Sequence, residues 1–422
     1  MKIILIHRNG YMKKYNNIIL ITEMFPYSSS EQFLETEVKY YENYNLTILP
    51  QYGFREKRIL NSDIHIDNYL VNLPTFIGIS KVYYILKGLF STFFFKECSK
   101  ENICSISKLK IFLGSMLRYS YYYKIFDTYF STKTNLDKTI LYTYWNTEVT
   151  YALQSLKIKY KYKLISRIHG YDIYKHRRQN NYMPLKKQFT NNIDRIYTIT
   201  ESANKYLHDT YKFDYDILEL SRLGVEDYNI VSQPNKEGIV HIVSCSYLVE
   251  VKQVDKIIQV LAILAQKNID FNYIWTHIGD GPLSKELHVL ADNLLKPYVN
   301  LKYNFLGHLH NSEVYDFYKN NNVDVFINVS LSEGVPVSIM EAMSCHIPII
   351  APDIGGIRDM IDNNMNGILL CEKPSIVEIV DALTKTNLFK KEKVRNYSYK
   401  IFLNKYNAKK NYLNFLDSMS HL

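Results

Sequence analysis

The chain has little of what marks a fibrous, disulfide-bonded or membrane-spanning protein. Its 422 residues include only 15 glycines, 11 prolines and five cysteines, and no two cysteines form a Cys-X-X-Cys pair. So few glycines and prolines exclude a collagenous or linker-rich chain, and an odd cysteine number argues against a disulfide framework. No apolar run reaches the ~18 residues of a membrane span, and the first residues lack the apolar core of a signal peptide. We therefore expect a cytoplasmic protein in a reducing compartment.

Positive charge is concentrated in the first half of the chain. Residues 1–225 carry 32 Lys and Arg against 20 Asp and Glu, whereas the remaining residues carry 19 against 22. A basic half can face nucleic acid, an anionic membrane or phosphorylated substrates. No RNP, KH or helix-turn-helix pattern accompanies the charge, so nucleic acid is not an expected partner. The basic, aromatic stretch 75–130 has two interpretations: interfacial binding to an anionic bilayer, or core helices with snorkelling lysines.

Hydrophobic patterning predicts an α/β fold built on parallel sheets. In the second half, continuous apolar runs such as HIVSCSYL (241–248) alternate with amphipathic segments such as VDKIIQVLAILAQK (254–267). Continuous apolar strands are typical of sheets that helices cover on both faces. Repeated βα units indicate right-handed, doubly wound sheets. The first half of the chain follows the same pattern less regularly.

A polar segment divides the two α/β patterns. Residues 221–238 contain Gly, Pro, Asn and Ser and few apolar positions. We predict two doubly wound, Rossmann-like domains, one over 1–225 and one over 226–395. Ligands of doubly wound sheets bind at the carboxyl ends of the strands, so we expect donor and acceptor to bind in a cleft between the domains.

The segment SEGVPVSIMEAMSCHIPIIAPDIGG (332–356) carries the clearest chemistry. Glu333 follows a predicted strand, Gly334 permits a tight turn, and Pro336 suits the first position of a helix. The N-terminus of that helix offers unpaired amides to a diphosphate. Glu341 stands eight residues after Glu333, so the two carboxylates can reach opposite ends of one ligand. On spacing alone, the alternative remains that Glu333 is a turn residue and Glu341 a carboxylate at a buried helix edge.

Glu333–Pro336 with Glu341 resembles the E-x7-E motif of the family 4 retaining glycosyltransferases, which have the two-Rossmann GT-B fold. FPYSSSEQFLETE (25–37) resembles a subgroup of bacterial surface-polysaccharide enzymes. Other family segments have counterparts here in the same order: LYTYWNTEVTYAL (141–153), SRIHGYDIY (166–174), SRLGV (221–225), VSCSYLVEVKQVD (243–255), IGDGP (278–282) and FLGHL (305–309).

The resemblance implies a retaining glycosyltransferase that needs no metal and no cofactor. It also implies that the domain over 1–225 is the acceptor-side domain and that the domain over 226–395 binds the nucleotide sugar. A C-terminal helix over 396–422 is expected to pack back on the first domain. The donor is expected to be a nucleotide diphosphate sugar, UDP- or GDP-linked, and the acceptor a glycan or lipid-linked sugar of a surface polysaccharide such as capsule or O-antigen. Such an acceptor implies a peripheral place on the inner face of the cell membrane. Asp214-Tyr-Asp216 formally matches a metal-binding DxD motif, and His308-Leu-His310 lacks a third ligand; we assign neither to a metal.

The resemblance also implies roles for individual residues. Glu333 would stabilise charge at the anomeric carbon, Lys252 would neutralise the leaving diphosphate, and His169 would line the cleft near the donor sugar. Arg167 and Asp172, the charged neighbours of His169, can be surface charges and are left unassigned. The donor would be bound by the remaining matched residues, Glu341, Gly334, Val335, Pro336, Val337, Ser246 and Gly307.

The chain departs from the family pattern at three places, and the first two of them are the support for the second alternative below. Tyr247 stands where the family often has an arginine that assists the diphosphate, Ser28–Ser30 replaces a glycine-rich loop, and Asp359 replaces a commoner glutamate. One alternative is a GT-B enzyme of different chemistry, such as a nucleotide-sugar epimerase or a phosphorylase. The other is a non-catalytic, glycosyltransferase-like partner subunit.

Overall fold

A computed structural model describes residues 15–28, 31–53, 57–60, 63–73, 79–101, 103 and 105–422. The chain forms two compact units: residues up to Ser221 together with Tyr412–Leu422 make the first, and Arg222–Asn411 make the second. Ser29 and Ser30, two of the three serines that replace the family's glycine-rich loop, lie outside the described residues. Within those residues, no helix is both long enough and apolar enough to cross a membrane.

A seven-stranded parallel sheet forms the centre of the first unit. The spatial order is β3-β2-β1-β4-β5-β6-β7, and every neighbouring pair is parallel. The chain begins this sheet in its middle, builds outward to one edge and returns to place β4 beside β1. Its strands are β1 (Asn17–Thr22), β2 (Asn45–Pro50), β3 (His65–Ile66), β4 (Thr139–Thr143), β5 (Lys163–Ile168), β6 (Arg195–Thr198) and β7 (Leu218–Leu220).

Helices connect these strands. They are α1 (Phe33–Glu37), α2 (Ile79–Leu89), α3 (Thr92–Glu101), α4 (Ile106–Ser131), α5 (Glu148–Tyr160), α6 (Gly170–Ile173) and α7 (Glu201–Tyr206). The long α4 buries one aromatic face in the core, where Phe112, Tyr122, Phe126 and Phe130 pack with the apolar side of α5. Part of the basic, aromatic stretch is therefore core helix.

The second unit is built on a six-stranded sheet of order β10-β9-β8-β11-β12-β13, again parallel throughout. Two doubly wound α/β sheets are therefore present, which confirms the predicted fold class. The strands are β8 (Ile239–Cys245), β9 (Asn272–Ile278), β10 (Leu301–Phe305), β11 (Val325–Ile327), β12 (Ile349–Pro352) and β13 (Gly367–Leu370). The helices are α8 (Val254–Lys267), α9 (Ser284–Leu295), α10 (Asn311–Asn320), α11 (Val337–Ser344), α12 (Ile376–Leu383), α13 (Thr386–Lys390) and α14 (Glu392–Ile401).

The last helix, α15 (Ala408–Ser420), begins in the second unit and continues into the first. In the first unit, Phe415 packs edge-on against Tyr197, with ring centroids 4.6 Å apart. The hydroxyls of Tyr197 and Ser418 are hydrogen-bonded at 2.9 Å. Residues 412–422 thus belong to the first unit, and Phe415, Leu416 and Met419 are part of its core.

Candidate functional site

The loops after β8 and β11 flank the switch point of the second sheet, where the order in which the chain adds strands reverses. From β8 the chain builds β9 and β10 on one side, and from β11 it builds β12 and β13 on the other. Connections that leave neighbouring strands in opposite directions open a crevice at the carboxyl ends, where doubly wound sheets bind ligands. The backbone of Leu331 donates to the Val251 carbonyl at 2.8 Å and joins the two loops.

Lys252 and Glu333 form an ion pair at this point. Lys252 Nζ lies 2.7 Å from Glu333 Oε1, and the side chains are 22% and 9% exposed. Asn328 Nδ2 donates to the same oxygen at 3.0 Å. The Ser330 amide donates to Asn328 Oδ1 and thereby fixes which end of that amide faces Glu333. A nearly buried carboxylate is stable only when its charge is compensated, and here one cation and one amide compensate it.

The turn after Glu333 rests on a second turn that follows β12. Gly356 donates from its backbone to the Gly334 carbonyl at 2.6 Å. Gly355 has φ +53°, and a Cβ there would stand 2.2 Å from the Glu333 carbonyl oxygen. Only glycine fits that close approach. Pro336 is the residue before α11 and has an extended backbone, so Val337 is the first helical residue.

Glu341 lies on the inner side of α11 and is buried. Asn311, the first residue of α10, donates its side-chain amide to Glu341 Oε1. Burial raises the pKa of Glu341 to about 7, and the hydrogen bond from Asn311 opposes that rise. Hydroxyl groups that donate to this carboxylate would favour its ionised form. The residue therefore suits the two hydroxyls of a ribose.

Ser246 and Gly307 belong to one backbone junction at the ends of β8, β9 and β10. The backbone amide of Ser246 donates to the Ile278 carbonyl at 3.0 Å, and the backbone amide of Gly279 donates to the Gly307 carbonyl at 2.7 Å. Gly307 has φ +69° and open space where a Cβ would stand. Tyr247, at the position of the expected arginine, is an exposed side chain and brings no charge to the junction.

His169 follows β5 in the first unit. Its ring lies 4.6 Å from the Tyr144 ring and 4.5 Å from the Trp145 ring. Within the described part of the chain, neither ring nitrogen has a hydrogen-bond partner. Burial, with a smaller effect of the Arg167 charge, lowers the pKa of His169 to about 3. The imidazole is therefore neutral and suits hydrogen bonding to a ligand rather than charge stabilisation.

The structure corrects the interpretation of Arg167 and Asp172 as surface charges, because both are buried. Arg167 donates to the Tyr142 hydroxyl and the Ser221 carbonyl, each at 2.8 Å. Asp172 accepts the His169 amide at 2.6 Å and the Asn146 amide at 2.7 Å. Burial raises the pKa of Asp172 to about 6.

Asp172 thus holds the ends of β4 and β5 together and fixes the backbone of His169. Sequence spacing does not show such burial. The alternation of charged and apolar residues in SRIHGYD was the only feature of the sequence that could have indicated that these charged side chains are buried.

No group of three or more His, Cys, Asp or Glu side chains within the described ranges is arranged to hold a metal ion. Asp214 and Asp216 are exposed, and the Asp214 side chain accepts the Asp216 amide at 3.2 Å. The DxD-like pair therefore serves as a local turn cap in this structure.

Two parallel, doubly wound sheets, one in each compact unit, define the class of two-domain α/β proteins. Residues 229–401 match the family model for "Glycosyl transferases group 1". The apo form of the lipopolysaccharide outer core galactosyltransferase WaaB is similar over 96% of this chain and 99% of its own, with TM-score 0.66 and 16% identity. Anabaena Alr3699/HepE in complex with UDP is similar over 96% and 100%, with TM-score 0.62 and 13% identity. Residues 229–401 are therefore similar to the group 1 glycosyl transferases, and the chain as a whole has the GT-B fold of the two solved structures.

Curated relatives share part of the sequence. The GtfA subunit of a UDP-N-acetylglucosamine–peptide N-acetylglucosaminyltransferase from Streptococcus agalactiae is 27% identical over 246 residues, which is 53% of this chain and 45% of that protein. The amylovoran biosynthesis glycosyltransferase AmsK from Erwinia amylovora is 29% identical over 164 residues, or 37% and 38% of the two chains. The aligned part spans less than half the length of these two relatives.

Proposed function

We propose that the protein transfers a sugar, with retention, from a nucleotide diphosphate sugar to a hydroxyl of a glycan or lipid-linked acceptor. The observation that carries this proposal is the Lys252–Glu333 ion pair at the β8–β11 switch point. The buried Glu341, eight residues beyond Glu333, adds a second carboxylate in the same unit. That HepE was solved with UDP supports a UDP-linked donor.

Each side chain has a distinct task in such a reaction. Glu341 accepts hydrogen bonds from the hydroxyls of the ribose. Lys252, a compact cation already in the crevice, transfers its contact from Glu333 to the diphosphate and neutralises charge as the leaving group departs. Glu333, released from Lys252, faces the hydroxyls and the developing positive charge of the sugar.

The reaction itself is a substitution at the anomeric carbon on a single face of the sugar. The bond from the anomeric carbon to the diphosphate oxygen breaks as the bond to the acceptor oxygen forms. The acceptor proton passes to the leaving phosphate, so no side chain needs to become covalently attached. His169 supplies a neutral hydrogen-bonding group in the first unit.

Release of nucleoside diphosphate tests the proposal. The purified protein is incubated with UDP-glucose, UDP-galactose, UDP-N-acetylglucosamine or GDP-mannose, with and without a bacterial lipid and glycan extract. We expect acceptor-dependent release with one donor and its loss in Glu333→Gln. Glu286→Gln, on the exposed face of α9, is the matched control and should behave as wild type. Equal release by Glu333→Gln and wild type would contradict the role given to Glu333.

The same assay separates the alternatives. Conversion of the donor sugar to an epimer without acceptor would favour a nucleotide-sugar epimerase. Dependence on inorganic phosphate would favour a phosphorylase. Donor binding without any turnover would favour a non-catalytic partner subunit.

We further propose that the acceptor belongs to a surface polysaccharide and is reached at an anionic membrane. AmsK, which is named for amylovoran biosynthesis, supports the pathway. On α2 and the turn that ends it, Tyr83, Leu86 and Phe90 are 59%, 50% and 82% exposed. Their spacing of three and four residues places them on one helix face, and this apolar stripe belongs to the basic half of the chain. Apolar side chains combined with positive charge suit the bilayer interface.

Vesicle sedimentation tests the membrane contact. We expect binding to phosphatidylglycerol-containing vesicles at low salt, weaker binding at high salt, and weaker binding for Phe90→Ser. Val299→Ser changes a fully exposed apolar residue of the second unit and serves as the control. Absence of binding at low salt would refute the membrane proposal and leave the transferase proposal intact.

A further inference from the structure

One carboxylate in the first unit collects four hydrogen-bond donors. Glu31 Oε1 accepts the Glu23 amide at 3.0 Å and the Trp145 indole Nε1 at 2.8 Å. Glu31 Oε2 accepts the amides of Met24 and Phe25, each at 2.8 Å. Both oxygens therefore accept hydrogen bonds, and every partner among the described residues is an N–H group. Hydrogen bonds to an ionised acceptor are about twice as strong as neutral ones.

The four donors come from the two loops that flank the switch point of the first sheet. Residues 23–25 follow β1, and Trp145 follows β4. These strands are neighbours in the sheet, although the chain leaves them toward opposite edges. Glu31 itself has φ +55°, a backbone conformation that is uncommon for residues other than glycine. The loop after β1 thus turns back so that this carboxylate bridges the ends of β1 and β4.

Trp145 carries the effect of this bridge to His169. The indole ring lies 4.5 Å from the imidazole ring, and the Tyr144 ring lies on another side of the imidazole at 4.6 Å. The His169 backbone is held separately, by Asp172. The main chain of His169 is therefore fixed by the Asp172 carboxylate. The position of its ring depends on the indole of Trp145, whose N–H donates to Glu31.

We propose that Glu31 is a positioning residue, which fixes Trp145 against His169 and thereby holds the imidazole ring in one orientation for the transfer reaction. The proposal rests on the transferase function proposed above. A glutamine at position 31 keeps the size of the side chain but replaces one accepting oxygen with an NH2 group. That group would face N–H donors from the protein, so at least one loop contact must open.

The experiment compares Glu31→Gln with Glu35→Gln, four residues further on, where a half-exposed carboxylate forms an ion pair with Arg58 at 3.3 Å. Acrylamide quenching reports on Trp145, because Trp275, the other tryptophan, is fully buried in the core of the second unit. In Glu31→Gln we expect stronger quenching, turnover lower by about tenfold or more because a catalytic group is misplaced, and unchanged UDP affinity. Glu35→Gln should match wild type in all three measurements.

Trp145→Phe is the second variant, and it keeps an aromatic ring against His169 while removing the N–H that Glu31 binds. It should lower turnover without changing UDP affinity, even if Glu31→Gln fails to fold. Wild-type turnover in either variant would overturn the proposal, and so would unchanged quenching in a folded Glu31→Gln. If the wild-type protein shows no turnover, the transferase proposal fails, whereas the quenching comparison still decides whether Glu31 holds Trp145.

Discussion

The unusual ionisation of Glu341 predicts that donor binding depends on pH. Burial raises the pKa of this carboxyl to about 7 in the unliganded protein. Ribose hydroxyls donate hydrogen bonds to a carboxylate and thereby favour its ionised form. A donor that binds the ionised form must therefore bind more weakly below pH 7 than above it.

The size of the effect follows from the fraction of Glu341 that is ionised. With a pKa of about 7, roughly a tenth of the groups are ionised at pH 6 and roughly nine tenths at pH 8. Donor affinity should therefore fall about tenfold between pH 8 and pH 6, or about 1.4 kcal/mol. Burial lowers the pKa of His277, near the end of β9, to about 4, so that residue stays neutral between pH 6 and pH 8. Burial raises the pKa of Cys245, so the thiol keeps its proton.

Isothermal titration calorimetry at pH 6, 7 and 8 measures this dependence. UDP-glucose is preferable to UDP, because a terminal phosphate group titrates near pH 6 itself. Glu341→Gln should bind UDP-glucose more weakly at pH 8 and show little change with pH. Equal affinity of the wild-type protein at pH 6 and pH 8 would refute the reasoning, as would an unchanged pH dependence in Glu341→Gln.

Stability has a related dependence with the opposite sense. The folded-state pKa of Glu341 lies above 4.5, the ordinary value of a glutamate, so the folded state binds this proton more tightly than the unfolded state. Its contribution to the free energy of unfolding is fully present below about pH 4.5 and is lost as the pH rises through about 7. Thermal unfolding without ligand should show this component in the wild-type protein and not in Glu341→Gln.

Three further substitutions test the site of the second unit. Lys252→Ala should weaken UDP binding by about 1–3 kcal/mol, because a charged hydrogen bond is lost; equal affinity by calorimetry would contradict the role of Lys252. Glu333→Gln should bind UDP about as tightly as the wild-type protein while its turnover falls. A loss of both UDP affinity and turnover would instead indicate a folding defect. Gly355→Ala should destabilise the protein by on the order of 1–3 kcal/mol, because a Cβ meets the Glu333 carbonyl at a positive φ; an unchanged denaturant midpoint would argue against that packing.

Regular patterns made much of the second unit predictable. Helix α8 begins at Val254 and ends at Lys267, which are the residues that the amphipathic period indicates. Continuous apolar runs mark the buried strands, and the loops that follow two of them hold Lys252 and Glu333. The short strands β3 and β7 went unpredicted, since two or three residues carry too little periodicity to detect.

Side-chain partners and burial were beyond the reach of the sequence. The segment 31–42 has helical periodicity, yet α1 covers only Phe33–Glu37 and a short 3-10 turn follows it. Glu31 leaves the helical pattern because its carboxylate and its positive φ serve the loop after β1. Asn328, which directly follows β11, and Asn311, the first residue of α10, donate to the two glutamates of the E-x7-E pair and lie outside the motif.

A thermal-shift panel tests the central claim, a donor site for a nucleotide diphosphate in the second unit, most directly. The wild-type protein and Glu341→Gln are heated with UDP, GDP, ADP or CMP, each with and without Mg²⁺. At a ligand concentration about 100 times Kd, binding adds about 2.7 kcal/mol to the free energy of unfolding. We predict that one nucleoside diphosphate raises the wild-type unfolding temperature by several degrees without metal, and that Glu341→Gln loses most of the shift. No stabilisation by any of the four, or an equal shift in Glu341→Gln, would contradict the account.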